Sequence, residues 1–120
     1  MVHVLLIDDD PVEAKLLDAF LQRRFGPDDY ALTCASGLSE GLCALRTRRF
    51  DHVLLDNRLP PFRDYRQTLP IVRLYARGTE PIVVSASVID DCFEELDRYG
   101  DPAVIDKFRL RERIQAGLLG

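Results

Sequence analysis

Three acidic residues stand in a row, Asp8, Asp9 and Asp10, and a fourth, Asp56, directly follows the apolar run Val53-Leu54-Leu55. Ser85, Ala86 and Ser87 close another apolar run, and Lys107 closes a third. Lys107 and Lys15 are the only lysines in a chain that carries 14 arginines. Asp10 reads as a helix cap, but two further acids beside it exceed what one helix end requires. A carboxylate placed straight after buried residues is costly unless something pairs with it. Carboxylates gathered together also repel and raise one another's pKa. A divalent cation removes that conflict, and a few hard oxygen ligands with room for water and phosphate suit Mg²⁺. Beside such a metal, a free carboxylate oxygen is a nucleophile for phosphoryl transfer. The Ser85 hydroxyl and the Lys107 ammonium would then hold the remaining phosphoryl oxygens.

These residues act together only if the fold brings them to one edge. Val2–Ile7, Val53–Leu55, Ile82–Val84 and Val104–Ile105 are short, almost wholly apolar runs, and Tyr30–Cys34 is a weaker one. Runs of this kind fit strands buried on both faces of a parallel sheet. Helical patterns lie between them. Leu16, Leu17, Phe20, Leu21 and Phe25 form a stripe opened by Asp10, Pro11 and Glu13 and stopped by Gly26-Pro27. Leu38, Leu42 and Leu45 mark a second helix. Ile71, Val72, Leu74 and Tyr75 mark a third, which Pro70 predicts to begin near Thr68 or Leu69, leaving residues 60–67 as a loop or broken turn. Ile89, Phe93 and Leu96 mark a fourth, and Leu110, Ile114 and Leu118 a fifth.

Five strand–helix repeats predict an α/β three-layer, doubly wound, five-stranded parallel sheet with right-handed crossovers and five helices. Five units are too few for an eight-fold barrel. The expected order is the flavodoxin-like 2-1-3-4-5, with the binding crevice at the carboxyl ends of the strands. Asp8, Asp9, Asp56, Ser85 and Lys107 all fall at such ends. The 120 residues predict one domain, residues 1–120, large enough to form a core without metal or disulfide staples.

Composition narrows the function. A net charge of −4 argues against direct nucleic-acid binding, and no apolar run approaches a membrane span. Cys34, Cys43 and Cys92 form no C-x-x-C pair, and with His3 and His52 offer no zinc spacing. They read as reduced, core or half-buried thiols in a cytoplasmic protein.

The chain resembles the receiver domain of bacterial two-component response regulators over essentially all 120 residues. Four segments carry the resemblance: Leu5-Leu6-Ile7-Asp8-Asp9-Asp10-Pro11, Val53-Leu54-Leu55-Asp56 with Pro60 four residues on, Pro81-Ile82-Val83-Val84-Ser85-Ala86, and Val104-Ile105-Asp106-Lys107. It implies that Asp56 accepts a phosphoryl group from a phosphohistidine on a sensor histidine kinase or a histidine phosphotransfer protein. It implies direct Mg²⁺ ligation by Asp9 and Asp56, ligation by Asp8 through water, and a further ligand in the Arg58 backbone carbonyl. Ser85, the Ala86 amide and Lys107 would contact the phosphoryl oxygens. The expected protein is a signalling domain rather than an enzyme, catalysing at most its own phosphorylation and dephosphorylation. With no effector domain in these 120 residues it would be either a stand-alone receiver or a domain cut from a longer protein, acting on a downstream protein by contact, with a homodimer possible. Gly100-Asp101-Pro102 replaces the family's common Gly-Ala approach to the fifth strand, and three single positions also depart from the pattern. Phe108 follows Lys107 where the family usually has Pro, Val104 stands where many members place an aromatic switch residue, and Tyr65 stands where a Gly is common.

Two other readings compete. An aspartate-nucleophile phosphatase of the haloacid-dehalogenase type would want Thr where Val12 stands in Asp8-Asp9-Asp10-Pro11-Val12. A receiver fold used as a phosphorylation-independent interaction module would keep the fold without the chemistry.

Overall fold

The computed structural model describes all 120 residues. Strands β1 (Val2–Ile7), β2 (Tyr30–Ala35), β3 (His52–Asp56), β4 (Ile82–Ser85) and β5 (Val104–Asp106) form one parallel sheet in the order β2-β1-β3-β4-β5. Successive residues along a strand face opposite sides. Leu5, Ile7, Val53, Leu55 and Val83 therefore feed one core, and Val4, Leu6, Leu54, Val84 and Ile105 feed the other. That two-sided burial is why the central strands lack polar alternation.

Helix α1 (Pro11–Phe25) covers the second core with Leu17 and Leu21. Its start follows the sequence reading: Pro11 is in the first turn, and the Asp10 carboxylate accepts from the Val12 amide at 2.9 Å. Helix α2 (Leu38–Thr47) and helix α3 (Tyr65–Tyr75) lie on the opposite face, with Leu45, Leu69 and Val72 buried. Helix α4 (Leu110–Gln115) closes the α1 side with Leu110 and Ile114. Leu118 lies beyond α4 and is only partly buried, while Leu119 is the buried residue of that turn.

Two helices differ from the sequence expectation. Helix α3 begins at Tyr65, not near Thr68, so Pro70 sits inside it. The Asp64 carboxylate caps the helix by accepting from the Arg66 amide at 3.0 Å, and Asn57 Oδ1 accepts from the Tyr65 amide at 2.9 Å. These anchors hold a first turn that Pro70 cannot support, because a proline has no N–H for the Arg66 carbonyl. The fourth helical segment, Asp91–Tyr99, is a 3₁₀ helix broken at Glu95, where φ is −108° and ψ is 21°. Ile89 precedes it and is 90% exposed, so it is not part of a buried face. Cys34 and Cys43 are also exposed, and only Cys92 is buried.

Pro70 is exposed, so it can be replaced without disturbing the core. Pro70→Ala restores the missing backbone donor. It should stabilise the chain by about 1–3 kcal/mol, less the entropy that proline removes from the unfolded state. Urea denaturation checks this; a lower midpoint in the variant would show that the proline is not a cost to α3.

Candidate functional site

The parallel register assembles the site. Ile7 pairs with Leu55, so Asp8 and Asp56, one residue further on, end neighbouring strands at the same height. Asp56 pairs with Val84, and Ser85 with Asp106, so Ser85 and Lys107 arrive at the same edge. Neighbouring strands are about 4.8 Å apart, which forces the carboxylates together. Oxygens of Asp8, Asp9 and Asp56 all lie within 4.8 Å of one another. Asp8 and Asp56 are buried, whereas Asp9 is exposed.

Lys107 reaches back from β5 across the sheet edge. Its Nζ stands 3.2 Å from Asp8 Oδ2 and 3.7 Å from Asp56 Oδ1. The turn after it is set by the Asp106 carboxylate, which accepts from the Phe108 amide at 2.9 Å. The Lys107–Phe108 peptide is trans, and the cis peptide of the chain is Pro60–Pro61. Asp8 is oriented from its other side by the Asp10 amide, which donates to Oδ1 at 2.9 Å.

Burial pushes the Asp56 carboxyl up to about 7, and the neighbouring Asp8 adds to the rise; Lys107 and the Arg58 amide offset part of it. For Lys107, burial opposes the charged form, but the Asp56 and Asp8 carboxylates outweigh it and its pKa is raised. The site thus holds its lysine charged while Asp56 ionises with difficulty.

The remaining candidates are placed less directly. Ser85 is buried, and its hydroxyl donates to the Ser87 carbonyl at 2.8 Å and accepts from the Ser87 amide at 3.2 Å. It is turned onto its own loop. Ala86 is exposed next to it. The Arg58 amide lies 3.5 Å from Asp56 Oδ1, while the Arg58 guanidinium extends outward to Asp90 at 3.1 Å. A cavity of about 530 Å³ opens between α1 and the Lys107 turn, with Leu6, Leu17, Val84 and Leu110 in its wall and Asp8 and Lys107 at its site end.

One group of residues beside the site had no role in the sequence reading. Asn57 is fully buried; besides holding the Tyr65 amide, its Nδ2 lies 3.8 Å from Cys92 Sγ. Tyr65 is also fully buried, and its hydroxyl donates to the Cys92 carbonyl at 2.7 Å. Its ring is parallel to Phe93 and edge-on to Tyr99, each at 5.5 Å between centroids. A polar Asn directly after a buried strand was the available signal, since such a group must find partners inside.

The carboxylates fit a small hard cation. All three donor groups are oxygens, two of them are buried, and the exposed side at Asp9 leaves room for water.

No protein-family model matches the sequence, and no curated protein matches it significantly. Solved structures do match, and they define the class: the chain has the fold of response-regulator receiver domains. The receiver domain of the sensor histidine kinase PA1611 from Pseudomonas aeruginosa, with a magnesium ion coordinated in its active-site cleft, is 22% identical with a TM-score of 0.76, over 96% of this chain and 92% of that one. The response regulator TrrA from Thermotoga maritima, in complex with Mg²⁺ and BeF, is 20% identical with a TM-score of 0.72, over 97% and 98%. The N-terminal domain of a receiver protein from Methanoculleus marisnigri is 25% identical with a TM-score of 0.71, over 100% and 98%. No helix is long and apolar enough to cross a membrane.

The raised Asp56 pKa fixes the sign of a pH effect. Between the unfolded carboxylate range near 4 and the folded value near 7, the folded chain binds the extra proton. Stability without metal should therefore fall as pH rises through that window. Asp56→Asn removes the ionisation and should be more stable than the wild type at pH 8, by about 2–4 kcal/mol. At pH 4 the two should converge. Urea unfolding at both pH values in EDTA checks this, and a constant difference between them would contradict the buried, reluctant carboxylate.

Proposed function

We propose that this chain is a phosphoacceptor receiver domain that takes a phosphoryl group onto Asp56 and signals by protein contact. The observation that carries the reading is the Lys107 ammonium set between two buried carboxylates, with a third carboxylate at the open side. A purely structural ion pair needs one acid, not three.

In this reading an Asp56 oxygen attacks the phosphorus of a phosphohistidine on a sensor kinase or phosphotransfer protein. The new O–P bond forms as the P–N bond breaks, and the imidazole leaves with the electron pair. Asp8, Asp9, Asp56 and the Arg58 carbonyl would hold Mg²⁺, as the neighbouring fold of PA1611 holds magnesium in its cleft. Bound Mg²⁺ supplies charge compensation for the transferring phosphoryl oxygens. Lys107 gives up its contact with Asp56 and takes a phosphoryl oxygen instead. Ser85 must turn from Ser87 to donate to the phosphoryl group, and the Ala86 amide would donate to the same group. The Asp8 carboxylate keeps Lys107 charged and in place throughout. The chain then acts on a downstream protein target rather than on a metabolite, and it works in the cytoplasm.

Acetyl phosphate with Mg²⁺ tests the reading, with acetate as the leaving group in place of imidazole. Intact mass should show one phosphoryl addition, peptide mapping should put it on Asp56, and EDTA should prevent it. No addition, or an addition mapped elsewhere in the wild type, sinks the proposal.

Metal binding gives a separate expectation. Two or three carboxylates with water completing the shell should bind Mg²⁺ in the millimolar range. Saturating Mg²⁺ should raise the wild-type melting temperature by linkage and leave Asp9→Ala unmoved. An equal rise in both would show that Asp9 is not a ligand.

A further inference from the structure

We propose that the groove between α1 and α4 binds an amphipathic organic anion, a medium-chain carboxylate whose tail lies on the groove's apolar floor and whose head meets Arg23, Arg24 and Arg111. The proposal does not rest on the phosphoacceptor reading.

Two cavities lie along α1 and share Arg111. The one that opens beside Lys107 has a volume of about 530 Å³. The second, of about 490 Å³, is walled by Phe20, Arg23, Arg24, Arg111, Glu112 and Gln115. From α1 the two are lined by Glu13, Leu16, Leu17, Phe20, Arg23 and Arg24, which fall on one face of the helix. The seven residues from Leu16 to Arg23 span about 10 Å of helix axis. The groove is therefore elongated, apolar at one end and arginine-lined at the other. Each cavity alone lies within the size range of small-molecule sites, about 300–1,000 Å³.

The apolar end is left uncovered. Leu16 belongs to the apolar stripe of α1, yet it is 43% exposed, and Phe108 across the groove is 81% exposed. Between them the floor is made of Leu6, Leu17, Val84 and Leu110, all buried. Apolar surface thus runs without interruption from the core to the rim. A hydrocarbon tail laid along it removes Leu16 and Phe108 from water together.

Charge assigns the head group. Helix α1 and residues 107–115 carry seven basic and three acidic side chains, a net +4 in a chain whose total is −4. Arg23, Arg24 and Arg111 take part in none of the chain's ion pairs, and Glu112 is the one acid in the wall of their cavity. Arg23 and Arg24 complement the carboxyl end of α1, but Arg111 stands in the first turn of α4, where the helix dipole disfavours a cation. A carboxylate between the two helices would accept from guanidiniums on both sides. The opposite end of the groove repels an anion. Asp8 and Glu13 line it, and its Lys107 is already held by Asp8 and Asp56 at 3.2 and 3.7 Å. The tail therefore points toward Lys107 and the head away from it. The same acids disfavour an anionic bilayer as the occupant. A membrane resting on the exposed Val12 would also meet the exposed Asp9 and Asp10 beside it.

The test titrates the isotope-labelled full chain with decanoate, below the concentration at which decanoate aggregates, and follows amide shifts by NMR. The amides of Leu17, Phe20, Leu110 and Arg111 should move saturably. Acetate, which lacks the tail, and decyltrimethylammonium, which reverses the charge, should each bind at least about tenfold more weakly. Replacing both Arg23→Gln and Arg111→Gln should weaken decanoate by about tenfold or more, from lost charge-assisted hydrogen bonds. Arg113→Gln, exposed on α4 but outside the groove wall, should leave the affinity within about twofold of wild type. Phe108→Ala should weaken it by about threefold or more through lost apolar burial. Decanoate that does not saturate, or that acetate or the cation matches in affinity, overturns the site. An equal loss in Arg113→Gln and the double variant shows attraction to net charge alone and overturns it as well. If the chain sediments with phosphatidylglycerol vesicles while free decanoate leaves Leu17 and Leu110 unmoved, the face takes a lipid surface and the proposal fails. Should the double variant not fold, Arg111→Gln alone decides: unchanged decanoate affinity there removes the head-group assignment.

Discussion

The arrangement on which the rest depends is one ammonium shared by two buried carboxylates. Asp8 and Asp56 end adjacent parallel strands, so register brings them together whatever their charge. Two ionised acids there, out of water, would repel strongly. Lys107 offsets this from β5, three strands from Asp8 and two from Asp56, at 3.2 and 3.7 Å, a reach that takes a long side chain. This constrains β5 to end at Asp106 and the following turn to fold tightly. The Asp106 carboxylate fixes that turn at the Phe108 amide, doing locally what a rigid proline would do by covalent geometry. The fold around the sheet edge is thus organised by a charge problem, and the strands supply the positions from which it is solved.

The strands were legible because their burial is two-sided. Continuous Val, Ile and Leu in β1, β3 and β4 leave no polar alternation to misread, and the residues directly after them give the site edge. Asp8, Asp9, Asp56, Ser85 and Lys107 were found in this way. Helix α3 was less legible because one strong signal, Pro70, outweighed two weaker ones upstream. Asp64 at the cap position with Gln67 three residues later is a capping-box pattern, although Gln67 Oε1 accepts from the amide of Arg63, one residue before the cap, at 2.5 Å rather than from that of Asp64. The proline is tolerated because tertiary contacts hold the first turn. Ile89 failed as a core position for a related reason: the period was helical, but the chain enters the fourth segment only after it.

Of the polar group around Asn57, the sequence signals Asn57 itself, a polar residue directly after a buried strand, but not its partners. Its members are separated by 8 and 27 residues along the chain, Asn57 to Tyr65 and Tyr65 to Cys92, and no local period links them. Only the sheet and α3 together bring them into contact. The same holds for the direction of the Ser85 hydroxyl. Sequence places Ser85 at the strand end, but its bonds to Ser87 arise from the loop's own path, which turns the hydroxyl back on the backbone.

These two kinds of feature divide the site by physical origin. Charged groups at strand ends are fixed by register, and register is set by hydrophobic pattern, so they follow from local sequence. Hydrogen-bonded neutral groups such as Ser85, Asn57 and Tyr65 are fixed by which partner happens to be within reach. Their alternatives differ by a single hydrogen bond, on the order of 1 kcal/mol net. Charge placement is therefore the rigid part of the site and the neutral shell the adjustable part. In the proposed phosphoacceptor reading, a phosphoryl group on Asp56 would add charge to this rigid part, where the carboxylates cannot retreat along buried strands and, among the charged groups, the Lys107 side chain re-aims. The rest of that change would fall on the neutral shell. Ser85 and Asn57 are the members of that shell next to Asp56, and both lead away from the sheet edge toward residues 87–92.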